Sequence, residues 1–400
     1  MIKISYKRLK KIKVLRIINR FNIGGPTYNA TFLTAFLGDE YETMLVGGLP
    51  EKGESDSLFI LDKYNVKPVL IEELVREPNF KSDRAAYKRL KQIICDFQPD
   101  IVHTHASKAG ALGRKAAYSC KVPIILHTFH GHVFHSYFGK VKTTLFKMIE
   151  RNLARKSTGV IAISDLQKKE LSEDHAICKP EKIRVVNLGF DLVPFHDKRE
   201  MFREEVRSEY DLDKDEVAIG IVGRLAPIKN HMFFLDAMEE VLKKSTKKVK
   251  IFIVGDGSEK EIIQKRAAKI NSLYSDSIVM TSWIKDIGKF NSGMDIICLS
   301  SNNEGTPVSL IEAQAGNIPV ITTDVGGVRD IIKVGETGYV IPVGNLTEYV
   351  ERVLNLVEDE KKRLKMSQNG WNFVRDKFHY DTLVKNMDQY YRELLKRKKK

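Results

Sequence analysis

Twice along its 400 residues the chain runs through one pattern, in which a short apolar run leads into a polar or glycine-bearing turn and then a helical segment. In the first half the apolar runs fall at 14–18, 43–46, 68–71, 101–105, 123–127, 160–163 and 183–186. Helical periodicity fills the gaps, notably at 27–37, 84–97, 109–119, 141–155 and 165–171. Strands separated by helices predict a parallel sheet wrapped on both faces. The polar run Phe195-His196-Asp197-Lys198-Arg199-Glu200 interrupts the pattern, and a boundary is expected near Pro194. The pattern then restarts with strands at 217–222, 251–254, 278–281, 296–299, 319–322 and 339–341. Helices are expected at 231–242, up to about 270, and at 346–358, 361–377 and 380–396. A chain of this length exceeds a comfortable single core. Two α/β domains are therefore expected, with ligands at the carboxyl ends of the strands.

The stretch from 301 to 342 concentrates candidate chemistry. Seven residues separate Glu304 from Glu312. Between them, Gly305-Thr306-Pro307-Val308 reads as a loop that turns into a helix near Pro307, since a first helical turn tolerates a missing N–H. Glu312 then falls roughly one and a half turns into that helix. Free N–H groups of the loop suit phosphate, and a carboxylate can accept both hydroxyls of a vicinal diol. Two glutamates eight positions apart are more often merely solvated. The apolar strand before them and a second strand after them favour a binding role.

The sequence E-G-T-P-V-S-L-I-E-A followed by G-N-I-P-V-I-T-T-D-V-G-G resembles the signature of retaining glycosyltransferases of family 4. The likeness extends over nearly the whole chain and is most specific in its second half. It implies the GT-B fold, with two Rossmann-like parallel-sheet domains facing each other across a cleft. The expected division is 1–194 for the acceptor, 195–378 for the nucleotide sugar, and a helix at 379–400, carrying a basic tail, that returns to the first domain. The activity implied is sugar transfer from a nucleoside-diphosphate sugar, UDP- or GDP-linked, to an acceptor hydroxyl with retention of configuration. No metal or other cofactor is implied.

Further residues acquire roles in that frame. Gly24-Gly25-Pro26 follows the first strand, where small residues let the backbone approach a diphosphate. The turn is not GxGxxG, which argues against a nicotinamide cofactor. In the family this loop reaches the donor phosphates, so Gly25 is the candidate. Arg224, in Gly223-Arg224-Leu225, and Lys229 follow the first strand of the second half. A guanidinium fork and an ammonium there could stabilise a leaving diphosphate without a metal, although cations in loops are commonly just solvated. Gly255-Asp256-Gly257 reads equally as a tight turn or a close backbone approach. The resemblance places the nucleobase near Trp283-Ile284, so Ile284 is a candidate contact. It implies Glu304 and the loop through Gly305, Thr306, Pro307 and Val308 for the sugar and phosphates, and Glu312 for the ribose.

Six histidines crowd two strand ends: His103 and His105 at one, then His127, His130, His132 and His135 in HTFHGHVFH at the next. They could hold zinc, but no Asp, Glu or Cys joins them in sequence. T-F-H-G resembles the family segment whose histidine lies beside the reacting sugar, which singles out His130. Catalytic roles are thus expected for His130, Glu304, Arg224 and Lys229.

The formal charge of +14 points to a polyanionic partner. Much of it is terminal, between Lys3 and Arg16 and from Lys396 to Lys400. Such tails are either solvated or drawn to an anionic membrane surface. Cys95, Cys120, Cys178 and Cys298 show no CxxC spacing, which fits a reducing cytoplasmic setting. No run approaches ~18 apolar residues, so no transmembrane helix is expected. The basic start leads into a strand and not a signal peptide. Acceptor choice is expected in loops 47–57, 76–82 and 133–142. With Phe134, Tyr137 and Phe138, the basic ends suggest a lipid-linked acceptor and a peripheral position on the inner membrane face. Two alternatives share parts of the pattern. A GT-B sugar-nucleotide epimerase would use the same donor residues without an acceptor. A basic nucleic-acid-binding protein is disfavoured, because no aromatic RNA-binding motif or zinc finger appears.

Overall fold

The computed structural model describes residues 10–22, 24–50, 57–75, 79–130 and 140–399. His132, His135, Phe134, Tyr137, Phe138, the first nine residues, Lys400 and parts of the three expected acceptor loops lie outside the described residues. The chain divides into two units, residues 1–190 with 380–400 and residues 191–379.

The first unit holds seven strands: β1 (Ile12–Arg20), β2 (Tyr41–Gly48), β3 (Val69–Leu70), β4 (Ile101–His105), β5 (Ile124–Phe129), β6 (Gly159–Ala162) and β7 (Ile183–Val185). They form one sheet in the order β3-β2-β1-β4-β5-β6-β7, every pair parallel. β4, β5 and β6 are buried along their whole length, as expected of strands covered on both faces. The Tyr380–Lys399 helix packs into this unit through Leu383, Met387, Tyr390, Tyr391 and Leu394, against Val14, Ile101, Ile124 and Leu126. Tyr380 stacks on Phe36 with ring centroids 4.5 Å apart, and the Tyr41 hydroxyl donates to Asp388 at 2.6 Å.

The second unit holds β8 (Val217–Val222), β9 (Val249–Val254), β10 (Ile278–Thr281), β11 (Ile296–Leu299), β12 (Val320–Thr323) and β13 (Gly338–Ile341). Their order is β10-β9-β8-β11-β12-β13, again all parallel. In each sheet the order reverses beside the unit's first strand, between β1 and β4 and between β8 and β11. Loops leave such a switch point in opposite directions and open a crevice at the carboxyl edge.

Several local details differ from the pattern-based expectation. Pro194 lies in the first turn of the Val193–Glu209 helix instead of a linker, because its fixed φ suits that position. Pro307 caps the Val308–Ala315 helix from outside, in an extended conformation. The helices Leu58–Lys63, Ile287–Ser292 and Val328–Ile331 are too short to show a periodicity.

One buried charge anchors the second unit. Asp295 accepts from Arg203 at 2.6 Å, from Arg207 at 3.2 Å and from the Ala218 N–H at 2.9 Å. Burial opposes its charge, but these partners outweigh burial and hold the carboxyl below its ordinary range. The contacts tie the Val193–Glu209 helix to the starts of β8 and β11.

Candidate active site

The second unit brings several expected residues together at its switch point. The loop after β8 carries Arg224 and Lys229, and the loop after β11 carries Glu304. Lys229 Nζ donates to Glu304 Oε1 at 2.5 Å, and Ser301 Oγ donates to the same oxygen at 2.5 Å. Further bonds fasten the two loops: the Asn302 N–H donates to the Ile228 carbonyl at 2.8 Å, and Ser300 Oγ to the Lys229 carbonyl at 2.9 Å. Arg224 is exposed and makes no hydrogen bond or ion pair among the described residues.

Glycines let neighbouring loops close up beneath this pair. Gly326 has φ +53°, and a Cβ there would lie 1.6 Å from the Glu304 carbonyl oxygen. At Gly255 (φ +144°) a Cβ would meet the Gly223 carbonyl oxygen at 2.0 Å. Only glycine accommodates such approaches. The Gly327 N–H donates to the Gly305 carbonyl at 3.0 Å, and Thr323 Oγ1 to the Ser301 carbonyl at 2.6 Å, so the 323–327 loop supports the Glu304 loop. Asp256 accepts from the Gly257 N–H at 2.8 Å and from Lys260 at 2.8 Å.

Glu312 lies on the Val308–Ala315 helix and is treated differently from Glu304. Its carboxyl has no hydrogen bond or counter-ion among the described residues, and burial pushes it up to about 8. Glu312 is half-buried, and a carboxyl raised this far favours its protonated form at neutral pH. Along the approach to it, Gly305 is exposed, Thr306 and Val308 are half-buried and Pro307 is buried. Ile284 is half-buried in the turn after β10, beside the exposed Trp283.

At the first unit's switch point Gly25 opens the Gly25–Ala35 helix, with Gly24 as its cap. His105 ends β4 and His130 follows β5. His105 Nδ1 and His130 Nε2 share a hydrogen bond of 2.9 Å. His103 sits between the Tyr391 hydroxyl and Thr128 Oγ1, each at 2.7 Å, while His127 Nδ1 meets Thr104 Oγ1 at 2.9 Å. Burial lowers His130 to about 3 and drives His103, His105 and His127 well below the ordinary histidine range. All four are neutral, so His130 can offer a ligand a hydrogen bond but no charge. Among the described residues no group of three or more His, Cys, Asp or Glu side chains is arranged to hold a metal ion.

Comparison with known proteins gives the family of the chain. The family model for "Glycosyltransferase Family 4" matches residues 24–193, and that for "Glycosyl transferases group 1" matches residues 202–373. The chain is a glycosyltransferase. Among its relatives, the UDP-Gal:alpha-D-GlcNAc-diphosphoundecaprenol alpha-1,3-galactosyltransferase of Escherichia coli is 28% identical over 326 residues, covering 80% of this chain and 81% of that one. The capsular polysaccharide biosynthesis glycosyltransferase CapM of Staphylococcus aureus is 26% identical, covering 79% and 84%. The fold matches Anabaena Alr3699/HepE in complex with UDP at a TM-score of 0.79 (17% identity, 96% of this chain and 100% of that one). It matches a glycosyltransferase from Rickettsia africae ESF-5 at 0.80 (21% identity, 97% and 100%).

Several residues of this glycosyltransferase's site carried no clear sequence signal. Ser301 orients Glu304, yet a serine beside a glutamate is unremarkable in sequence. His231, fully buried beside the Lys229 loop, is pushed down to about 4 by burial and by Lys229. The pairing of His105 with His130 depends on strand register, β4 lying beside β5 with His105 opposite Thr128.

Proposed function

We propose that this glycosyltransferase moves a sugar from a nucleoside-diphosphate sugar to an acceptor hydroxyl with retention, in the synthesis of a cell-envelope polysaccharide or glycolipid. The observation that carries the reading is the Lys229–Glu304 pair at the β8/β11 switch point, with the partnerless Glu312 one short helix away. Glu312, as a carboxylate, accepts the two ribose hydroxyls. Ligand phosphate draws Lys229 away from Glu304, and Glu304 turns to the sugar hydroxyls. Arg224 and Lys229 stabilise charge as the bond from the anomeric carbon to the phosphate oxygen breaks. The new bond forms from the acceptor oxygen on the same face, and the departing phosphate takes the acceptor proton. Gly25 and the Gly305–Val308 loop offer N–H groups to the diphosphate, and Ile284 lies against the base. His130 donates to the sugar. The named donor of the Escherichia coli relative and the UDP bound to the Anabaena neighbour support a uridine nucleotide.

The test is thermal unfolding with a panel of nucleoside diphosphates and nucleotide sugars, on wild type and Glu312→Ala. A ligand at ~100 times its Kd adds about 2.7 kcal/mol of stability. A shift with one nucleotide sugar that disappears in Glu312→Ala is expected. If no member of the panel shifts the wild type, the donor reading is wrong.

The acceptor is proposed to be lipid-linked, as in the name of the Escherichia coli relative, and met at an anionic membrane surface. Among the described residues no helix is long and apolar enough to cross a membrane. The Lys140–Lys156 helix does expose Leu145, Met148 and Ile149 on one face, with Arg155 and Lys156 following on that face. Apolar side chains flanked by cations suit the boundary of anionic headgroups. Lys396, Arg397 and Lys398 add exposed charge, each on the order of 1 kcal/mol near such a surface. Wild type should co-sediment with vesicles containing phosphatidylglycerol and not with pure phosphatidylcholine. Leu145→Ser/Met148→Ser and removal of 396–400 should each weaken this, and equal sedimentation of all three proteins would exclude the surface.

A further inference from the structure

The His105–His130 bond leaves a question that its geometry answers. Both rings are neutral, so the 2.9 Å contact between His105 Nδ1 and His130 Nε2 holds a single hydrogen. One ring donates and the other accepts, and each has one nitrogen left over. His105 Nε2 and His130 Nδ1 are both buried with no hydrogen-bond partner among the described residues. If His130 Nε2–H donates, His105 must carry its own proton on Nε2. That N–H is then stranded on a fully buried ring (0% exposed). If His105 Nδ1–H donates, His105 Nε2 is a bare lone pair. The proton without a partner then sits on His130 Nδ1, on a half-buried residue at the end of β5.

The two arrangements are not equal in cost. Each leaves one N–H and one lone pair unpartnered, and an orphan N–H costs most where it is furthest from water. The second arrangement moves it from the fully buried His105 to the half-buried His130 and is favoured. The surroundings hold the His105 ring in place. His103 lies over it with ring centroids 4.2 Å apart, and His103 is itself pinned by the Tyr391 hydroxyl and by Thr128. A flip of His105 would break its only hydrogen bond among the described residues without supplying another.

We propose that His105 is a positioning residue, fixing His130 as the Nδ1–H tautomer so that His130 offers the bound sugar a hydrogen-bond donor and not an acceptor. The proposal rests on His130 contacting the sugar, and goes beyond it by assigning the atom, the direction of the hydrogen bond and the residue that sets both. The unpartnered N–H in the empty protein is what a sugar oxygen would satisfy. A sugar analogue with a donor but no lone pair at that position would find no counterpart.

The deciding measurement is a long-range proton–nitrogen correlation spectrum of the full chain, labelled with 15N-histidine and recorded without ligand. The His130 signals are identified by their loss in His130→Asn. The expected spectrum shows a protonated Nδ1 and a bare Nε2 on His130, and the reverse would overturn the proposal without any variant of His105. In His105→Asn the side-chain amide replaces the Nδ1–H donor, and the His130 pattern should persist. In His105→Leu the donor is gone, and His130 should shift toward the Nε2–H form. An unchanged pattern in the folded His105→Leu protein would show that His105 does not set the tautomer. Turnover separates the proposal from the reading beneath it. His105→Leu should lower kcat about tenfold, as for one lost hydrogen bond, with recovery in His105→Asn. The expected spectra with unchanged turnover in His105→Leu would support the positioning and remove the sugar contact from His130.

Discussion

At the carboxyl ends of β4 and β5 in the first sheet the histidines are neutral: His103, His105, His127 and His130 bond to hydroxyls or to each other. At the same edge of the second sheet Lys229 and Glu304 form an ion pair and Arg224 stands exposed. The strand order reverses at the first strand of both sheets, so topology does not explain the contrast. Depth does. The first three histidines lie within β4 and β5, where removal from water suppresses their charged forms. Lys229 and Glu304 lie on loops, with side chains 21% and 10% exposed, where a pair can stay charged and still exchange partners for a ligand. The first edge is suited to directing hydrogen bonds, the second to meeting charge as it develops. Glu312 crosses this division, a carboxyl on the charged side whose proton is retained by burial.

The largest effect that would sharpen this contrast is in turnover. Lys229→Met should lower kcat by roughly 10²–10³, the usual loss of one preorganised electrostatic contact, whereas His130→Asn should cost about tenfold. Steady-state kinetics with the nucleotide sugar that the thermal-unfolding panel selects would compare them, and equal losses would break the assignment of charge stabilisation to the second edge.

A smaller effect is expected in pH dependence. If bound ribose requires Glu312 as a carboxylate, donor binding must release the proton that the empty site holds. Affinity for a nucleotide sugar, whose diphosphate does not titrate in this range, should rise up to tenfold per pH unit between pH 6 and about 8, then level off. Calorimetry in buffers of different ionisation enthalpy would count the proton. A flat profile would mean that Glu312 binds in its protonated form.

The smallest effect concerns the empty protein. The folded Glu312 carboxyl titrates at about 8 against an ordinary 4.5. Because the folded state holds this proton more tightly, its contribution to stability is complete below pH 4.5 and is lost as pH rises toward 8. Glu312→Gln should therefore unfold at a higher temperature than wild type at pH 8, by a few degrees, with the gap closing toward pH 5. A constant gap would place the cause outside this ionisation.

Much of the framework was legible in the residues. The strands Ile101–His105, Ile278–Thr281 and Ile296–Leu299 stand where apolar runs meet turn residues, and Leu346–Glu358 where helical periodicity is strong. The adjacency of Lys229 to Glu304 was not legible. Seventy-five positions separate them, and their meeting depends on β8 pairing with β11 and not with the next strand of the chain beyond β9. Gly326 reads as half of an ordinary Gly-Gly turn until the Glu304 carbonyl is seen against it. The partial cover of the Glu312 carboxyl has the same origin, since a helix only eight residues long reveals little of what packs around it.

The Tyr380–Lys399 helix has a consequence for the order of events on the ribosome. Residues 1–190 emerge first, but the layer holding Leu383, Met387, Tyr391 and Leu394 is made last. The second unit, continuous in sequence from 191 to 379, is complete before its predecessor can close. Nascent first-unit strands must therefore wait, with Val14, Ile101 and Leu126 missing part of their cover, while residues 191–379 are made. A chain that lacks this helix therefore leaves the first sheet open while the second is already built.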